Sequence, residues 1–86
     1  VDFETIGRRR LMMRLPAYRR QLETLKIPAL KDLLKAYGFA AIQRDQVRAV
    51  EGQKTRHVTR LDCDCARIEM DVVRLLTNVA ARAVKA

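Results

Sequence analysis

Serine is absent from the 86-residue chain, and so is tryptophan. Without serine there is no serine nucleophile, which excludes every hydrolase built on one. The single histidine, His57, closes a polar, loop-like stretch that begins at Gly52. Two cysteines, Cys63 and Cys65, are too few for a disulfide scaffold. Two residues apart on a helix they diverge by about 200°, so they cannot share a metal ion unless the helix breaks. His57, Cys63, Cys65 and a neighbouring carboxylate match no closed zinc spacing. Gly7, Gly38 and Gly52 stand alone, which excludes a glycine-rich phosphate loop. The longest apolar run is Phe39 to Ile42, far short of the ~20 residues that cross a bilayer. No catalytic residue, no metal and no cofactor is expected.

What the chain does have is charge and small apolar residues. Apolar residues make up 49%, too many for a disordered tail. They are mostly Ala, Val and Leu, with two Tyr and two Phe, so the core is thin and burial alone stabilises it marginally. Eighteen Lys and Arg against ten Asp and Glu give a net charge of +8, and Arg outnumbers Lys 13 to 5. Scarce cysteine points to a reducing, intracellular compartment. A first residue other than Met and the arginine-rich composition make the mitochondrion the expected address.

Glycine and proline punctuate an all-α pattern, read as one domain of four to five helices over residues 1–86. Helices are expected near 3–14, 16–25, 28–37, 43–51 and 59–84. Pro16 either kinks the first two into one helix or divides them. Pro28 suits a first-turn position. Gly38 reads as the residue after a helix C-terminus, and Gly52 ends the next stretch. Thr59 followed by Asp62 resembles a capping box for the last helix. Leu61, Cys65, Ile68, Val72, Leu75 and Val79 then recur at alternating steps of four and three, an apolar seam widened by Leu76, Ala80 and Ala83. Asp64, Arg67, Asp71, Arg74 and Arg82 take the opposite face, where Arg67 and Asp71 are spaced to pair. The seam suits packing within the chain, against another subunit, or against a second copy.

The positive excess is confined to the first 60 residues. Residues 1–37 carry nine basic and four acidic side chains, residues 38–60 five and two, and residues 61–86 four of each. Arg8, Arg9, Arg10, Arg14, Arg19 and Arg20 form the densest run. Consecutive arginines at 8, 9 and 10 fan over about 200° of a helix. They cannot all face solvent while Ile6, Leu11, Met13 and Leu15 find a core. At least one is expected to meet an acidic neighbour or an external partner. Arginine suits planar, bidentate contact with carboxylate or phosphate. Tyr18 is the only aromatic in the run, a poor platform for stacked bases.

Leu25, Ile27, Leu30, Lys31, Leu34, Lys35, Gly38 and Phe39 follow the order of the first half of a SAP motif. The segment resembles that family, a short helix–turn–helix module associated with DNA or RNA binding. Its second half keeps only Arg44, Val47 and Val50, and the family's second glycine is missing. The resemblance implies a helix–turn–helix over 26–52 and phosphate contacts at Lys31, Lys35 and Arg44. Ala17-Tyr18-Arg19-Arg20 more faintly resembles the Leu-Tyr-Arg tripeptide of small basic subunits in mitochondrial assemblies, with Ala in place of Leu.

The function expected is that of a non-enzymatic accessory subunit. It would dock through its arginine-rich N-terminal region and its apolar-seamed last helix. The expected partners are other protein subunits, with nucleic acid, anionic lipid headgroups or a second copy as the alternatives. The competing reading is a SAP-like nucleic-acid-binding module.

Overall fold

A computed structural model describes residues 2–52 and 55–85, with side chains through residue 81. Arg82 and Ala83, assigned above to faces of the last helix, have side chains outside the described set. Among the described residues the fold is all-α, with α1 Phe3–Arg14, α2 Arg19–Thr24, α3 Pro28–Glu51 and α4 Arg56–Lys85. A single 3₁₀ turn, Pro16–Tyr18, joins α1 to α2.

α1 starts where Asp2 caps it, its carboxylate accepting from the Thr5 amide at 3.2 Å and the Thr5 hydroxyl at 2.6 Å. These two bonds hold the Asp2 carboxyl below its usual range. The helix stops at Leu15, whose extended φ of −125° precedes Pro16. Pro16 therefore divides two helices and does not kink one. α2 returns alongside α1, and Arg8 fastens the return. Its side chain is only 12% exposed. It donates to the carbonyls of Leu22 and, at 3.4 Å, Leu25, and it pairs with Glu4 at 3.3 Å. Helix C-termini leave carbonyls without partners, and Arg8 satisfies these from α1. A charged hydrogen bond of this kind is worth ~1.5–3 kcal/mol. Arg8→Met is thus expected to lower stability by about 2 kcal/mol. It should also speed amide exchange within Arg19–Leu25 selectively, which native-state exchange would show.

The largest departure from the sequence reading is at Gly38. The two helices expected at 28–37 and 43–51 are one, and α3 runs unbroken from Pro28 to Glu51. The turn that the SAP resemblance implies after Gly38 is not formed. Gly52, with φ of 93°, is the only described residue with positive φ, and it ends α3 as expected. Gly38 serves a close crossing. A Cβ built there would lie 2.1 Å from the Phe3 carbonyl oxygen, and one on Gly7 would lie 2.0 Å from that of Leu34. Two facing glycines let the backbones of α1 and α3 touch. Phe3 and Phe39 stack edge-on beside the crossing, with ring centroids 5.4 Å apart.

α3 packs against both α1 and α4, and α2 lies against α1. The core joins Leu11, Leu22, Leu30, Leu34, Tyr37 and Ala41 to Cys65, Val72 and Leu76 of α4. The start of α4 is capped by Thr55, whose hydroxyl accepts from the Val58 amide at 3.2 Å. Thr59 is not the cap but lies one turn inside, donating its hydroxyl to the Thr55 carbonyl. The radius of gyration is 13.9 Å, and the molecule measures 50 × 23 × 20 Å. A spherical domain of this length would have a radius of gyration near 12 Å. A 30-residue helix is about 45 Å long, so α4 sets the long dimension.

Candidate interaction surface

The arginine run divides sharply between internal and external work. Arg8 is spent on α2, as above. Arg10 pairs with Asp45 of α3 at 2.7 Å, and Arg14 with Glu69 of α4 at 3.3 Å. Arg44 reaches Asp62 at 3.3 Å and Asp45 at 3.7 Å, and Arg48 reaches Asp62 at 3.6 Å. Arg9, Arg19, Arg20 and Lys35 are exposed and Lys31 is half-buried. None of these five has a carboxylate within ion-pair distance among the described residues. Of the proposed phosphate contacts, Arg44 is therefore engaged inside the protein, while Lys31 and Lys35 are not.

The internal cations share one polar seam where α1, α3 and α4 meet. Sequence reading missed its other members, Tyr37, Asp45, Arg48, Asp62 and Glu69, because they come from separate helices with no common spacing. The Tyr37 hydroxyl donates to Glu69 at 2.6 Å, and Arg14 donates to the same oxygen. A cleft of about 430 Å³ opens between Arg14, Tyr37, Arg48 and Asp62. Burial, then the hydrogen bond to Glu69, raises the Tyr37 phenol well above its ordinary value near 10. Such a group stays neutral in the fold and ionises in the unfolded chain. Its stabilising contribution is full below about pH 10 and is lost as pH rises further. The melting temperature is expected to fall above pH 10, less steeply in Tyr37→Phe.

Cys65 lies against this network, and burial pushes its thiol up as well. A protonated, covered thiol is a poor nucleophile. Cys63 is exposed. A thiol-reactive disulfide reagent is expected to modify Cys63 quickly in the native protein and Cys65 only on unfolding. Two fast thiols in the native state would contradict the burial of Cys65. His57 is not near either: it sits 3.4 Å from Glu51 at the opposite end of the loop. No described group of His, Cys, Asp and Glu is placed to hold a metal ion.

The sequence seam on α4 is placed mostly against α3. Leu61, Cys65 and Val72 are buried, and Ile68, Leu75 and Val79 are half-buried. Leu76, assigned above to the margin, is fully buried. Asp71 meets Arg74, at 4.0 Å, and not Arg67. A second apolar strip runs beside the first. Ala66, Met70, Val73, Thr77 and Ala80 repeat at steps of four, three, four and three, within about 80° of the helix circumference. Ala66 and Met70 are exposed and Val73 half-buried, with Met70 64% accessible. Leu15 at the end of α1 walls the strip, making an almost wholly apolar cleft of about 490 Å³. The heptad spacing was the available signal, hidden by the stronger seam that overlaps it. A smaller groove lies between Arg9, Met12, Met13 and Arg19.

No helix of the described residues is long and apolar enough to cross a membrane. No known family, curated protein or solved structure matches the chain.

Proposed function

We propose that this chain is a non-enzymatic accessory subunit that docks into a larger multi-subunit assembly. One observation carries the reading: α4 already packs one face on α3, yet presents a second, unused apolar strip with Met70 at its centre. A thin core and a helix longer than its own neighbours fit a chain completed by a partner. Arg9, Arg19 and Arg20, free of internal carboxylates, supply the N-terminal clamp. The test is the size of the tagged chain in its own cells, by native electrophoresis. The wild type is expected in a high-mass species, released by Met70→Glu with Val73→Glu. Migration of the tagged protein as a free monomer would overturn the reading.

A second reading, the SAP-like nucleic-acid module, is favoured by the same unpaired cations together with Lys31 and Lys35. With these three arginines and two lysines as contacts, log K should fall with log salt at a slope of about −4.5 on duplex DNA. Gln at Arg9, Arg19 and Arg20 would reduce it to about −1.8. A flat response in the unmodified chain would remove this reading.

A further inference from the structure

The docking strip has a charged border, and that border selects its occupant. Arg60, Arg67 and Arg74 follow one another at seven-residue steps along α4. On an α-helix they fall within about 40° of one another, roughly 100° from the middle of the Ala66–Ala80 strip. This is where the flanking charges of a two-helix seam sit. All three are exposed. Arg60 and Arg67 have no ion pair among the described residues, and Arg74 only the 4.0 Å approach to Asp71. The Arg74 side chain keeps 71% of its accessibility. Arg14, 68% exposed, pairs with Glu69, which lines the same cleft. On the α3 side of the strip Glu69 is engaged by Tyr37 and Arg14, and Asp62 by Arg44 and Arg48. Beyond the arginine border Asp71 approaches Arg74 at 4.0 Å and Asp64 is half-buried.

Resting on the docking reading above, we infer that the strip receives an acidic amphipathic helix of a partner protein. The partner's apolar edge lies on Met70 and Val73, and its carboxylates face Arg60, Arg67 and Arg74. A helix is the form that fits, because the strip repeats at heptad steps, as a helical partner's knobs require. The Thr77 hydroxyl bonds the Val73 carbonyl at 2.8 Å, so it is satisfied within α4 and asks nothing of the partner. A nucleic-acid backbone would leave the apolar floor in water. A second copy would bring another net charge of +8 and set a second arginine border against the first.

The test uses the full chain and two synthetic helices with the same leucine seam, about 21 residues long, or three heptads. One carries Glu at the flanking positions and the other Lys. The acidic helix is expected to bind about tenfold or more tighter than the basic one by calorimetry. Met70→Glu should abolish that binding. Arg60→Glu with Arg67→Glu and Arg74→Glu should reverse the preference toward the basic helix. These side chains are exposed, so helical content and melting should stay near wild type, which circular dichroism checks. Equal affinity for the two helices, binding to neither, or concentration-dependent dimerisation lost in Met70→Glu would overturn the inference. Failure here with the native assembly intact and Met70-dependent removes only the acidic helix. Loss of that assembly removes the docking reading itself.

Discussion

Gly38→Ala is expected to destabilise the protein by about 3 kcal/mol, although helix propensity alone predicts a gain of about 1 kcal/mol. Gly38 lies in the interior of α3, where alanine would ordinarily be preferred. The obstacle is backbone, not side chain. The new Cβ would meet the Phe3 oxygen at 2.1 Å, the Phe3 carbonyl carbon at 2.9 Å and the Gly7 nitrogen at 3.0 Å. No rotamer change relieves such a contact, so α1 and α3 must separate by about 1 Å to reach ordinary packing distance. Separation loosens Leu11 and Leu34, both fully buried beside the crossing. For a chain of this size total stability is about 4–13 kcal/mol, so the loss is a large share. Gly7→Ala should cost a similar amount, since its Cβ meets the Leu34 oxygen at 2.0 Å. The double variant should cost less than the sum, because helices moved apart for one methyl already accommodate the other. Urea unfolding measures all three. A Gly38→Ala variant as stable as wild type, or more so, would mean that the two backbones do not touch.

The second large effect separates two adjacent leucines of α4. Leu76→Ala is expected to cost about 3 kcal/mol and Leu75→Ala about 1 kcal/mol. Leu76 is fully buried in the core with Val72 and Cys65, while Leu75 is half-buried at its edge. The heptad spacing gives the reverse order, because it enters Leu75 in the seam and Leu76 at the margin. Equal losses would place α3 over both residues. A larger loss at Leu75 would rotate α4 by about 100° relative to its neighbour.

These two positions also mark what could be read from the residues. The end of α1 was legible because Pro16 acts within one turn of the chain, while Asp2, the cap at its start, was not singled out. The apolar seam of α4 was legible because its period is local, though its rotation is set by α3, which no spacing in α4 describes. Gly38 was misread because a glycine that ends a helix and one that admits another backbone look alike in one dimension. The residues after it held a clue. Phe39-Ala-Ala-Ile42 offers no Ser, Thr, Asp or Asn to cap a new helix, so continuation was the simpler local outcome. The division of the arginines was not legible. Arg10, Arg14 and Arg44 find carboxylates that are distant in sequence, except for the Arg44–Asp45 contact. Only the tertiary arrangement distinguishes them from Arg9, Arg19 and Arg20.

The central claim is that the outer face of α4 is the main surface by which the chain meets its assembly, with the arginine run as an auxiliary clamp. A photo-reactive benzophenone side chain placed at Met70, at Arg19 or at Val50 in the tagged chain tests it in the native cell. All three positions are exposed, and Val50 lies on the last turn of α3, in neither the strip nor the arginine run. The account expects cross-links to another polypeptide from position 70, few from position 19 and none from position 50. Cross-links to nucleic acid from position 19 with none from position 70, or equal products from all three, would contradict it.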